Sequence, residues 1–357
     1  MERFAKSQRR TEEAIGKGPT GEWEGSDVPV EAEGPSHPYS RAEGTRVCPD
    51  SLEYRSKGGR MGKGFEGVYE GADRTVYFHS GVNRAVYLKW VAEERKQMGV
   101  NIGAMVNAES AAQPALLKAY VRHPDVPLVL DSGAYQQSRR STQEYIEVLE
   151  TIDRYLAAQG EGGLLDRFEW VANLDVIDGL GSGRHFYQLR EHGIEPLWIA
   201  HARVDRGQSG VEVELSPPPE EAFELREGMT IGIGGLVPVI QKGGRDVARE
   251  VLSRVGEMLG DRGLKGHFFG VGVPCLLKQF GAESWMESAD SSKWLAGQKG
   301  RKLYREDGSY IRANRQGLRL TREECARQNL RQIGRWFGQK NGEESGSQVG
   351  LFETVEH

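Results

Sequence analysis

A chain of 357 residues with 38% hydrophobic residues and a formal net charge of −5 could hold one large α/β domain or two smaller ones, yet it is lean for a chain packed throughout. No apolar run approaches the ~20 residues of a membrane span, and the opening Met1-Glu-Arg-Phe-Ala-Lys6 lacks the apolar core of a signal peptide, so a cytoplasmic protein without membrane partners is expected. Cys48, Cys275 and Cys325 are far apart and form no Cys-x-x-Cys or Cys/His cluster, which argues against a disulfide framework and a zinc site; no metal and no cofactor are expected.

In chain order, residues 1–65 are rich in Gly, Glu, Ser and Pro without sustained periodicity. Such a segment buries too little apolar surface to offset its ordering entropy, and a flexible N-terminal arm is expected. Strand-like runs follow at Thr75–Phe78, Asn101–Asn107, Val126–Asp131, Phe168–Asp175, Pro196–Ala202, Met229–Leu236, Gly266–Val273 and Glu283–Asp290. Helical periodicity fills the gaps at Asn83–Gln97 behind an Asn cap, Ala111–Val121, Thr142–Gln159 with Ser/Thr ahead of Glu144, Arg184–His192, Pro217–Arg226, Arg245–Leu259 and Cys275–Phe280, and continues at Thr321–Phe337. Strands alternating with helices through short loops predict an α/β fold, a (β/α)8 TIM barrel over 66–340 with a basic C-terminal helical segment, and a disordered tail over 341–357.

In such a barrel, chemistry belongs at the C-terminal ends of the strands. Those ends carry Asp131, Asp175, His201, Gly234-Gly235-Leu236, Phe269-Gly270 and Asp290. Two strands end on Asp-Ser, at 131–132 and 290–291, and so would bring two carboxylates to one rim. Each residue alone could equally be a cap or a turn; their joint appearance at six strand ends is what points to a site.

Asp131-Ser-Gly-Ala-Tyr-Gln136, Ile233-Gly-Gly-Leu236 and Phe269-Gly-Val-Gly-Val-Pro274, in that order, resemble motifs of the tRNA-guanine transglycosylase superfamily over roughly residues 75–295. That family is a (β/α)8 barrel that exchanges guanine in a polynucleotide for a 7-deazaguanine base, the co-substrate. The resemblance implies Asp290 as nucleophile and Asp131 as general acid/base. It implies Tyr135 and Phe269 as the two faces of a base sandwich, with Gly270 beside the latter, and Asp175 as reader of the guanine edge. Gly234, Gly235 and Leu236 would supply backbone to the exocyclic oxygen, and His201, standing where the family has Gln, would offer it a donor.

The family's Cys-rich zinc motif is missing. In its place residues 293–340 hold thirteen Lys/Arg against four Asp/Glu, so the remainder of the chain carries −14. Lys293, Arg301, Arg312, Arg315 and Arg319 are therefore expected to follow a phosphate backbone, the alternative being a solvated helix face. Without the zinc element, and with Asp290-Ser-Ser at the nucleophile, the chain looks most similar to the branch of phage and bacterial enzymes that modify DNA. A tRNA or other RNA substrate, or a non-catalytic nucleic-acid-binding subunit, are the alternatives; further protein partners and a homodimer stay open.

Overall fold

The computed structural model describes residues 76–99, 101–133, 141–175, 180–207, 210–216 and 225–337. The arm, the tail, Tyr135 and most of the helix expected at Pro217–Arg226 lie outside them. The parallel strands are β1 (Val76–Ser80), β2 (Ile102–Asn107), β3 (Leu128–Asp131), β4 (Trp170–Ala172), β5 (Pro196–Leu197), β6 (Ile199–Gly207), β8 (Thr230–Gly234), β9 (Lys265–Phe268) and β10 (Met286–Ser291), while β7 (Gly210–Leu215) is antiparallel to β6. Their order in the sheet is β5-β4-β3-β2-β1-β10-β9-β8-β6-β7. Because β5 and β6 are one run parted only at Trp198, β5 pairing with β4 and β6 pairing with β8 join the two ends of the sheet. Gly232 N–H donates to Trp198 O at 2.7 Å and Asn173 N–H to Leu197 O at 3.0 Å across the joint. The result is a closed eight-stranded parallel barrel, as the alternation of elements predicts.

Runs such as Val-Tyr-Phe-His-Ser and Leu-Val-Leu-Asp are apolar at nearly every position because a barrel strand is covered on both faces. Alternate residues divide between two cores. Val76, Phe78, Met105, Val129, Trp170, Ala172, Leu197 and Ile199 fill the interior with Phe269 above them. Tyr77, Ala104, Val106, Leu128, Leu130 and Val171 face the helices. The interior is packed in layers, leaving the upper rim as the place for ligands.

The helices form where periodicity places them, with different ends. Helix α1 (Ala85–Met98) has Arg84 at its N-cap with no side-chain bond, so Asn83 is not the cap; it stops at Gly99, whose φ of 60° returns an N–H to Arg95 O. Two short helices, α2 (Ala108–Ala111) and α3 (Pro114–Arg122), replace the single one expected there. In α4 (Thr142–Ala158) Ser141 and Glu144 form the capping box that the sequence announces. After α5 (Leu164–Arg167) and α6 (Leu180–Glu191), α7 (Leu236–Gly260) starts nine residues earlier than expected and breaks at Gly244, where φ is 77°. Leu236 thus begins a helix instead of ending a strand.

Beyond α8 (Pro274–Phe280) and β10 come a 3-10 turn at Lys293–Leu295, α9 (Ala296–Gly300), the hairpin of β11 (Lys302–Tyr304) and β12 (Tyr310–Arg312), and α10 (Arg322–Trp336). The last helix docks on α1: Glu94, fully buried, receives Arg327 at 3.0 Å and Arg331 at 3.1 Å, and Arg327 also reaches Glu93 at 2.8 Å. Two of the thirteen basic residues are therefore committed to the fold and not to a ligand. No helix among the described residues is long and apolar enough to cross a membrane.

Candidate active site

Parallel register carries the strand ends to a common rim. Phe78 pairs with Asp290, Asn107 with Asp131 and His201 with Gly234. Asp131, the last residue of β3, is half-buried there. Burial pushes its carboxyl up to about 6, the N–H groups of Gly133 and Ser132 hold it down, and the charges of Asp290 and Asp175 push it up further. Asp175 and Asp290 thus lie near Asp131 at the same mouth.

Asp290 is buried and accepts the Gly270 N–H on Oδ1 at 2.9 Å. Beneath it lies His267, wholly buried, with Nε2 at 3.5 Å from the same oxygen and Nδ1 at 2.8 Å from Ser288 Oγ. Ser291, next along β10, is held by Tyr77 Oη at 2.8 Å. Glu287, the other carboxylate of this strand and a fallback nucleophile by sequence, is paired with Lys265 at 2.9 Å. Lys265 opens β9, so Glu287 belongs to the opposite end of the barrel.

Asp175 and His201 read as separate contacts to a base, but they contact each other: His201 Nε2 lies 2.5 Å from Asp175 Oδ2, and Ser182 Oγ donates to Oδ1 at 2.9 Å. Each carboxylate oxygen keeps a second lone pair beyond these contacts. A residue that touches Asp175 cannot act independently of it, so His201 is part of one polar unit. Gly234 makes room for that unit, since a Cβ there would stand 3.1 Å from the His201 ring. Gly235 has φ of 78° and a Cβ would meet Ala202 O at 2.9 Å, so only glycine can turn the chain from β8 into α7. Gly235 is the uncapped N-cap of α7, and the side chain of Leu236 is packed among the helices; only its backbone can serve a ligand.

Phe269 is half-buried at the floor of the mouth, its ring 4.5 Å from His267 and 6.0 Å from Trp170. Tyr135, its expected partner in a sandwich, lies outside the described residues. Lys293 stands apart from the other basic candidates: it is half-buried three residues after Asp290, and burial pushes its ammonium down. Arg301, Arg312, Arg315 and Arg319 are exposed on and around the β11–β12 hairpin, together with Tyr310, which is 51% exposed and has Lys302 Nζ 4.3 Å over its ring. The hairpin turn packs on α8, which follows directly from the β9 end of the mouth: Lys278 donates to Glu306 O at 3.0 Å, and a Cβ on Gly308 would meet Pro274 at 2.4 Å. Sequence reasoning missed this hairpin, and it also missed His267, Ser182 and Ser288. The period-2 run Gly266–Phe268 carries the only signal for His267, because it puts that side chain on the same face as Phe269.

Among the described residues no group of three or more His, Cys, Asp or Glu side chains is close enough to hold a metal ion. No protein-family model and no curated sequence matches the chain. Among solved structures it is similar to a protein provisionally assigned as a fructose-1,6-biphosphate aldolase, from Coccidioides immitis, at 12% identity and a TM-score of 0.41 over 74% of this chain and 90% of that one.

Proposed function

We propose that the chain is a base-exchange transglycosylase that replaces guanine in a polynucleotide, favouring DNA, with a 7-deazaguanine through a covalent aspartyl–sugar intermediate. One observation carries the reading: two carboxylates in one mouth, of which Asp131 is pushed toward neutrality by burial. Asp290 accepts the Gly270 N–H, which leaves Oδ2 as the attacking atom, whereas Asp131 is pushed up to about 6, where it can both give and take a proton at neutral pH. Such a pair suits double displacement at a sugar carbon. Asp290 Oδ2 attacks C1′ as the C1′–N9 bond breaks, the bonding electrons leave with the purine, and Asp131 supplies the proton that the purine needs. The incoming 7-deazaguanine returns its proton to Asp131, its ring nitrogen attacks C1′, and Asp290 departs as carboxylate. No redox partner is needed.

Base identity follows from the same mouth. The remaining lone pairs of Asp175 can accept guanine N1–H and N2–H, and the backbone N–H groups at the uncapped start of α7 can donate to O6. Phe269 supplies a ring for stacking, worth on the order of 1–3 kcal/mol per base. A duplex target must be flipped out at a cost of a few kcal/mol. Nucleoside mass spectrometry of DNA and RNA from cells with and without the protein tests the whole reading. A deazaguanosine gained in DNA is the expected result; one gained in RNA moves the substrate, and none in either removes the activity.

The polynucleotide is expected to run over the hairpin beside the mouth. Changing Arg312, Arg315 and Arg319 to Ala removes three exposed cations on and just after that hairpin. Binding should weaken about equally for all sequences, and the salt slope should flatten by roughly one unit for each phosphate the variant no longer neutralises. The rate at saturating substrate should change little, because residues that hold phosphates position the strand and do not touch the reacting base. Salt titrations of duplex DNA, single-stranded DNA and tRNA binding check this; an unchanged slope in the triple variant makes the hairpin a solvated face.

A further inference from the structure

We propose that His267 is a positioning residue for Asp290: a neutral imidazole, its tautomer set by the acceptor-only carboxylate and its Nδ1 anchored by Ser288, directs Nε2–H to Oδ1 of Asp290 and so turns Oδ2 toward the sugar. This rests on the reading of Asp290 as the nucleophile. Burial lowers the proton affinity of His267, opposed in part by Asp290, so the ring is neutral and has one N–H to place. Its two neighbours differ in kind. The Ser288 hydroxyl can donate or accept, whereas the carboxylate of Asp290 can only accept. With the proton on Nδ1, the Nε2 lone pair would face the carboxylate 3.5 Å away with no donor between them. With the proton on Nε2, Ser288 donates to Nδ1 over 2.8 Å and the acceptor nearest to Nε2–H is Oδ1, 3.5 Å away.

The ring cannot turn out of this arrangement. It is wholly buried and wedged edge-on between Trp170 at 4.6 Å, Phe269 at 4.5 Å and Phe78 at 6.0 Å. Ser288 sits two residues before Asp290 on β10, so the strand that carries the nucleophile also orients its partner. Gly270 N–H and His267 Nε2 both address Oδ1, which leaves Oδ2 for attack. The Nε2 contact is long for a hydrogen bond, and contacts of this kind commonly tighten once substrate is bound. The same donors suit the return step, in which Asp290 must leave the sugar as an anion.

The titratable groups that face Asp290 are Asp131 from β3, Tyr77 from β1 and His267 from β9. Only His267 is altered in the test, either directly or through Ser288. The variants are His267→Leu, which removes the donor, His267→Gln, which restores one, and Ser288→Ala, which removes the bond that anchors Nδ1 without touching the ring. Ser288→Ala keeps the test decisive should His267→Leu fail to fold. Carboxyl 13C and imidazole 15N NMR read the arrangement without any turnover. The wild type should show the proton on Nε2, and the Asp290 carboxyl 13C shift should move in His267→Leu, move less in Ser288→Ala and return in His267→Gln. With substrate, kcat of His267→Leu should fall about tenfold with KM within about twofold, and recover in His267→Gln. A proton on Nδ1, or an Asp290 carboxyl 13C shift that is the same in all four proteins, overturns the assignment. NMR shifts as expected in a protein that forms no adduct would sink the transglycosylase reading while leaving the positioning of Asp290 intact.

Discussion

Asp290→Asn is expected to abolish base exchange, by on the order of 10⁴-fold or more, and with it any covalent protein–nucleic acid adduct. The substitution is nearly isosteric, and the side-chain carbonyl can keep the Gly270 N–H at the position that Oδ1 holds now. What changes is the attacking atom: an amide is a poor nucleophile toward C1′. Polynucleotide binding should survive, because the exposed cations lie on the hairpin and not in the mouth. Incubating the protein with polynucleotide while withholding the deazaguanine, then denaturing it, should show a resistant adduct in the wild type alone. An adduct in Asp290→Asn would move the nucleophile to Asp131. Glu287 is no longer a contender, since Lys265 holds it at the other end of its strand.

Asp131→Asn is expected to slow exchange by roughly 10²–10⁴-fold, the range for loss of a general acid/base, and at the same time to stabilise the protein at neutral pH. The second effect follows from the carboxyl being pushed up to about 6, above its ordinary 3.8. Below both values the group is protonated folded and unfolded alike, and it costs nothing. Between about pH 4 and 6 the folded protein holds the proton that the unfolded chain has lost, so stability falls as pH rises. Above about 6 the cost is complete. An amide has no such cost, so the variant should gain about 1–2 kcal/mol at pH 7–8, less than the full shift implies because the side chain is only half-buried. Urea unfolding of both proteins at pH 4 and pH 7.5 checks this. A stability gap that does not widen with pH would show that Asp131 is an ordinary exposed carboxylate, unsuited to proton transfer at neutrality.

Much of the barrel is legible in the sequence because its strands are short apolar runs between amphipathic helices, and the local pattern agrees with the global fold. Thr142–Gln159 and Thr321–Phe337 announce their own starts through Ser141/Glu144 and Thr321/Glu324, and both capping boxes form. The β6–β7 hairpin was within reach as well, since Val211-Glu-Val-Glu-Leu215 alternates with period two. The pairing of His201 with Asp175 was not, because the two residues lie 26 apart in sequence and meet only when β4 and β6 are bent toward the same mouth.

By itself, the sequence determined that Asp131 ends a strand: an apolar run that stops on Asp131 must put a carboxylate at a rim, since a charge inside the packed interior would be too costly. It also determined that Gly235 turns the chain and that basic residues gather after Asp290. Only the tertiary structure decided which of these groups act together. Closure of the sheet through Trp198 sets the rim distances, and the depth of the mouth is what pushes Asp131 to about 6. Contact with Glu94 removes Arg327 and Arg331 from the basic surface, and seating of the hairpin turn on Pro274 brings the rest beside the mouth. Solvation and Coulomb terms depend on separation in space, which no spacing along the chain encodes.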